Sequence, residues 1–408
     1  MITWIGHHSE SLLLVGVLAA AMWIAIQVLT PRPLMTLGFL IWGLNMSLVA
    51  GSFGAVSLAV GGALILAAAR RQRIAQPLQR KVPQAAYVPV VMGVMGLALA
   101  PASIDLGMTL HAVAGMFWLG LLAVIVSTRV PAAMVAQAGF CALLVYTMAS
   151  YVMGVLGIGG SELSGRWYGT VGNPNALGIL AMMLIVVALG VNYWALLVAL
   201  VLGGGLVVFS ASRGSAVATA AGVLAAMWTI QSRAVKGRWA SRLLIVAGLA
   251  LVVVAVQTAV NSPVQPSSEQ ELLRGTDSGR LSLIAMNVRL FLTNPWTGYG
   301  AGLKIVGEVP GAHFFPAVIA VQMGVAGVLA LLWMIVVLLR TPWRRSPMVA
   351  ALVFSGLASL VFESWLFGVG YVMTAVFWTA LAAGASEAAC EDLQLKNPSG
   401  LLASQPSG

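Results

Sequence analysis

Residues 173–233 read NPNALGILAMMLIVVALGVNYWALLVALVLGGGLVVFSASRGSAVATAAGVLAAMWTIQSR. Three apolar runs fill this stretch, over 173–190, 193–210 and 214–231, and Arg213 is the single charge before Arg233. A helix rises about 1.5 Å per residue and a bilayer's hydrocarbon core is about 30 Å thick, so runs of this length suit membrane-spanning helices. The apolar residues are continuous rather than alternating, which excludes a closed β-barrel. Working outward, similar runs cover 11–29, 34–50, 52–69, 84–101, 107–127, 132–158, 243–260, 315–339, 347–363 and 366–385. The expected fold is all-α, a polytopic membrane protein with about 12–13 transmembrane helices. The first three runs are closely spaced and could instead be a pair plus a surface segment. One membrane domain is expected over 1–385, followed by a polar cytoplasmic tail over 386–408.

Composition agrees. The 408 residues are 60% hydrophobic and 8% charged, with 21 Lys and Arg against 11 Asp and Glu. A soluble domain carries about 25% charged residues, so lipid must cover most of this surface. The basic residues lie in short loops, the positive-inside pattern, and no basic stripe is interleaved with aromatics, which argues against nucleic-acid binding. Arg70, Arg71, Arg73, Arg80 and Lys81 form one basic loop, Arg233, Lys236, Arg238 and Arg242 a second, and Arg340, Arg344 and Arg345 a third. With these three loops cytoplasmic, alternation places 159–172, 210–214 and 261–314 outside. Met1 to Glu10 lacks Lys and Arg, and the first apolar run leads into a second, so that run reads as a retained span. Cys141 lies in an apolar run and Cys390 in the tail, and no disulfide is expected between them.

Segment 261–314 is the long polar stretch of the outer side. Leu281, Ile284, Ala285, Val288 and Phe291 have the spacing of an amphipathic helix lying along the membrane surface, ended by Asn294-Pro295. Several functions are disfavoured by what is missing. Coupled carriers need carboxylates within the membrane, and the nearest acid here is Glu363 at a span end. No charge ring marks a channel, no carboxylate cluster would hold a catalytic metal, and no phosphate-binding Gly-Lys-Ser/Thr loop marks an ATP motor.

The chemistry-bearing residues are few. Ser210-Ala211-Ser212-Arg213-Gly214 puts an arginine at the outer end of a span, against the positive-inside trend. It either snorkels or meets an anion near a helix N-terminus. Ser278-Gly279-Arg280 opens the surface helix, where a cation opposes the helix dipole and an anionic partner would offset the cost. Arg274 and Arg289 are weaker anion contacts. His313 ends the loop and could act as a general base, since imidazole titrates near neutral pH. His111, early in an apolar run, reads as structural. Gly165 to Asn175 is dense in Gly and Asn. Its Arg166, Trp167, Tyr168 and Asn173 could face a sugar or a lipid head group.

The ordered set Gly169-Thr170-Val171-Gly172-Asn173-Pro174-Asn175, Ser212-Arg213-Gly214, Ser278-Gly279-Arg280, Asn294-Pro295-Trp296-Thr297-Gly298-Tyr299-Gly300, His313 and Gly324-Val325-Ala326-Gly327 resembles the bacterial O-antigen ligase and O-antigen polymerase superfamily. Many relatives follow the histidine with Asn, where this chain has Phe314. The resemblance implies an inner-membrane glycosyltransferase with its active site facing the periplasm, inverting, and needing no metal or other cofactor. The donor would be a glycan on undecaprenyl diphosphate and the acceptor the lipid A-core of lipopolysaccharide. A polymerase would use the same donor, and a non-catalytic lipid or polysaccharide transporter is the third reading. By position, Arg213 and Arg280 would bind the diphosphate and His313 would activate the acceptor hydroxyl.

Overall fold

The computed structural model describes residues 29–44, 54–72, 80–158, 166–233, 277–301, 314–363, 365–368 and 370–396. Twelve α-helices lie among them: α1 (Pro31–Gly43), α2 (Gly54–Arg71), α3 (Val88–Leu99), α4 (Leu106–Arg129), α5 (Ala132–Val155), α6 (Pro174–Ala188), α7 (Tyr193–Ser210), α8 (Arg213–Arg233), α9 (Asp277–Thr293), α10 (Phe315–Arg340), α11 (Pro347–Ser359) and α12 (Val372–Lys396). No β-strand occurs among the described residues, and the chain is an all-α polytopic membrane protein. Among the described residues, seven segments are long and apolar enough to cross a membrane: Gln84–Ala102, Leu106–Arg129, Ala132–Val155, Tyr193–Ser210, Arg213–Gln231, Phe315–Arg345 and Val372–Glu391. The apolar runs over 11–29 and 243–260 lie outside the described residues.

Two expected spans are shorter than hydropathy suggested, and burial explains why. α6 has 15 residues and every side chain from Ala176 to Ala188 is buried; α11 has 13 residues, most of them buried. Inside a shell of protein a helix need not match the bilayer, because its ends are served by neighbouring chain rather than lipid. α12 is the pillar of the bundle. Its residues from Val372 to Ser386 are buried, and α1, α4, α5, α6 and α11 pack on it. It also continues beyond the boundary expected at 385. Ser386 Oγ donates to the Lys81 carbonyl at 3.2 Å and Glu387 pairs with Arg80 at 3.1 Å, so residues 386–396 extend the last helix instead of starting a loose tail.

Loop-to-loop hydrogen bonds sort the helix ends into two groups. At one end the Arg80 guanidinium donates to the Val130 carbonyl at 3.0 Å, and the Ala132 amide donates to Glu387 at 2.9 Å. Arg32 reaches Gln137 there at 2.8 Å. At the other end the Ile104 amide donates to Tyr299 O at 3.0 Å, Trp167 to Phe209 O at 3.0 Å, and Phe315 to Leu360 O at 3.1 Å. The first group holds Arg80 and Lys81; the second holds Arg166 and Arg213. The first basic loop and the Arg213 junction thus stand in different groups, as their charges suggested.

The surface helix falls where its signals put it, from Asp277 to Thr293. Its faces differ from the expected stripe: Asn287 is buried at 4% exposure, while Val288 is 47% exposed and Ala285 is exposed too. The helix turns a polar residue to the protein and leaves part of its apolar face for lipid.

α10 is broken at Gly324, whose φ of 60° and ψ of −152° belong to a region that essentially only glycine occupies. A break in an apolar helix frees backbone groups that must find partners. The turn after α9 supplies them. Tyr299 N donates to Val321 O at 2.9 Å, Gly300 N to Gln322 O at 2.9 Å, and Val325 N to Pro295 O at 2.7 Å. A Cβ on Gly324 would lie 2.6 Å from the Pro295 carbonyl oxygen and from the Trp296 backbone. Gly324→Ala is therefore expected to cost roughly 2–5 kcal/mol through backbone strain and overpacking. The apparent melting temperature in detergent should fall clearly. Gly204→Ala, whose Cβ would meet nothing within 4 Å, should leave it unchanged or slightly raised. Equal melting of the two variants would rule out the break as a structural requirement.

Candidate functional site

The second group of helix ends brings distant sequence segments together around the α7–α8 corner. α7 ends at Ser210, Ala211 takes a left-handed φ of 47°, and α8 begins two residues later at Arg213. A non-glycine residue there is strained and persists only where its surroundings hold it. Ser210, Ser212 and Ser215 are buried. Ser212 and Ser215 share a hydroxyl hydrogen bond of 2.8 Å, and the Ser215 hydroxyl reaches the Asn175 carbonyl at 3.5 Å. Arg213 itself is half-buried. Gly178 of α6 packs against Ser212 and Ser215, and Gly214 packs against Phe362 beyond the end of α11.

The Gly-rich segment folds onto this corner. Gly172 turns left-handed at φ 66°, Asn173 caps α6 by accepting from the Asn175 amide at 2.8 Å, and Pro174 begins the helix, its fixed φ suited to that place. Thr170 is tied to Ser150 of α5 through its hydroxyl at 2.9 Å and its amide at 3.1 Å. Trp167 stacks on Phe209 with centroids 4.4 Å apart. The Arg166 guanidinium donates from Nε to the Ser210 carbonyl and from Nη2 to Asn175 Oδ1, each at 2.9 Å. Asn173 is exposed, and the half-buried Tyr168 places its hydroxyl 3.4 Å from the Ile158 carbonyl.

The start of α10 meets the same end. The Phe315 amide donates to the Leu360 carbonyl, and Pro316 has no N–H to satisfy, so Phe314 can stand at the N-cap without a capping side chain. Glu363, noted in the sequence only as an acid at a span end, directly follows Phe362. Its charge, second to burial, pushes the Tyr371 phenol above its ordinary range. No short-range signal pointed to the pairing of Glu363 with Tyr371.

His313 and Arg274 lie outside the described residues. Arg280 falls in the first turn of α9, where its backbone is described. Arg289 is exposed and nine residues on, half a turn out of phase at 100° per residue, so positions 280 and 289 do not share a helix face. His111, expected to be structural, is exposed on α4 rather than packed in the core.

Comparison with protein families bears on the class. Residues 198–332 match the O-antigen ligase family. This segment is about a third of the chain, and its similarity to O-antigen ligases supports the O-antigen ligase and polymerase superfamily. No curated protein matches it. The O-antigen ligase match runs from within α7 through the Arg213 corner, α9 and the turn after it, and past the Gly324 break. It therefore contains the positions of Arg213, Arg280 and His313. Arg166, Asn173 and Glu363, which the fold gathers around the O-antigen ligase segment, lie outside the matched range.

Proposed function

We propose that this protein is an O-antigen ligase of the bacterial inner membrane, transferring a glycan from undecaprenyl diphosphate to the lipid A-core of lipopolysaccharide on the periplasmic side. The observation that carries the reading is the Arg213 corner: an arginine opening a helix, at the bundle end opposite Arg80 and Lys81, inside the family match. A helix N-terminus offers unpaired N–H groups and a partial positive charge, and a guanidinium adds a bidentate donor, together suited to a diphosphate.

In this scheme Arg213 and Arg280 hold the diphosphate. His313 accepts the proton of the acceptor hydroxyl as its oxygen attacks the anomeric carbon. The bond from that carbon to the phosphate oxygen breaks, and the electron pair leaves with undecaprenyl diphosphate. The two arginines stabilise the charge that grows on the leaving oxygen, in a site where little water competes. Attack from the face opposite the leaving group inverts the carbon. Arg274, Tyr168 and Asn173 are proposed to contact donor or acceptor. Arg289 would do so from the other side of α9.

The lipopolysaccharide ladder of a deletion strain tests the function. A ligase mutant should lose all O-antigen from the core, whereas a core bearing a single repeat would make the protein a polymerase. An unaltered ladder would refute both. The proposed orientation has its own test. A membrane-impermeant thiol reagent should label a cysteine placed at Ser267 and spare one at Gln72; the reverse pattern would put the site on the wrong side of the membrane.

A further inference from the structure

Arg166 was a candidate for direct contact with the donor, but its hydrogen bonds give it another task. Nε is directed at the carbonyl of Ser210, the last residue of α7, and Nη2 at the side chain of Asn175 in the first turn of α6. The carbonyl end of a helix carries partial negative charge and unpaired acceptors, so a guanidinium there is favourably placed. Two residues, Ala211 and Ser212, separate Ser210 from Arg213, and Ala211 stands in a strained left-handed conformation. The same arginine therefore ties the end of α7 to the start of α6, at a residue three positions before the one proposed to hold the diphosphate. Its neighbour Trp167 reinforces the contact, donating its amide to the Phe209 carbonyl and stacking on the Phe209 ring.

We infer that Arg166 is a positioning residue for the transfer reaction: it clamps the α7–α8 corner to α6 through Ser210 and Asn175, and so sets the direction in which Arg213 meets the diphosphate. The inference rests on the proposed role of Arg213. It distinguishes two cationic tasks at one site, Arg213 as ligand and Arg166 as brace. A brace works through fork geometry, which a lysine at 166 cannot reproduce with its single ammonium. Misplacing a catalytic contact by about 1 Å can cost roughly 100-fold in rate, so the brace is expected to matter for turnover more than for donor affinity.

The experiment measures kcat and donor KM on the purified full-length protein, with undecaprenyl diphosphate-linked glycan as donor and lipid A-core as acceptor. The variants are Arg166→Ala, Arg166→Lys, Asn175→Ala, Asn175→Asp, Arg213→Ala, and the pairs of Arg213→Ala with Arg166→Ala and with Asn175→Ala. Arg166→Ala and Asn175→Ala should each lower kcat about 10- to 100-fold with a smaller change in KM. Arg166→Lys should resemble Arg166→Ala. Asn175→Asp, which keeps the acceptor oxygen, should restore most of the rate. In the Arg213→Ala background, removing Arg166 or Asn175 should cost no more than about twofold further, because the group being positioned is already gone. A full additional loss on removing Arg166 in that background, or an Asn175→Ala enzyme with undiminished kcat, would overturn the inference and make Arg166 a direct ligand. Should Arg166→Ala fail to fold, the Asn175 variants alone and with Arg213→Ala decide by the same criteria. An Arg213→Ala enzyme of normal rate would overturn the ligase mechanism itself, and the brace with it. Additivity with a slow Arg213→Ala enzyme would sink the brace alone.

Discussion

Replacing His313 with alanine is expected to slow glycan transfer about 100- to 10,000-fold, the usual contribution of a general base. Donor binding should survive, since in the proposed scheme the arginines rather than the imidazole hold the diphosphate. A hydroxyl is a poor nucleophile until its proton is taken, and the leaving diphosphate, already well stabilised, does not supply that function. The wild-type rate should also fall as the medium is acidified through the ordinary imidazole range around about 6.5, because only the neutral ring accepts a proton. His111→Ala, in an exposed position on α4, should be mild by comparison. An active His313→Ala enzyme, in an assay where donor is bound and saturating, would remove the base from the scheme.

Arg213→Ala and Arg280→Ala should each lower the rate about 100- to 1000-fold, equivalent to roughly 3–4 kcal/mol, if each loss resembles removal of one oxyanion donor. The protein should remain folded, since neither substitution adds bulk at the corner or in the first turn of α9. Lysine should rescue only in part, because it brings the charge without the fork. Normal transfer by both alanine variants would return these residues to the role of interfacial cations that reach for water.

Much of this site was legible from local signals. Asn173-Pro174, the Ser210–Arg213 junction, Asn294-Pro295 and the start at Phe315 all marked helix boundaries, because caps and prolines act within one turn of themselves. Among the described residues, Arg80 and Lys81 lie with one group of helix ends and Arg213 with the other. What escaped is long-range. Arg166 finds its carbonyl 44 residues away, and nothing in its surroundings names Ser210. Gly324 sits in an apolar run full of small residues, and only the turn from 294–300 gives its unusual backbone a reason. Hydropathy registers apolar character without saying whether lipid or protein will cover it, so the enclosed α6 and α11 read as full spans. The helical continuation past 385 depends on Arg80, over three hundred residues earlier.

The pillar helix α12 has a consequence for how the molecule is made. Synthesis delivers the chain from its N-terminus, and earlier segments ordinarily settle first. Here the helix that α1, α4, α5, α6 and α11 all pack against leaves the ribosome after every one of them. Until Val372–Lys396 arrives, those helices enclose no centre, and their inner faces must rest against lipid or one another. The bundle thus closes around its youngest member. The Arg80–Glu387 pair, joining a loop made early to a helix made late, can form only once that closure is complete.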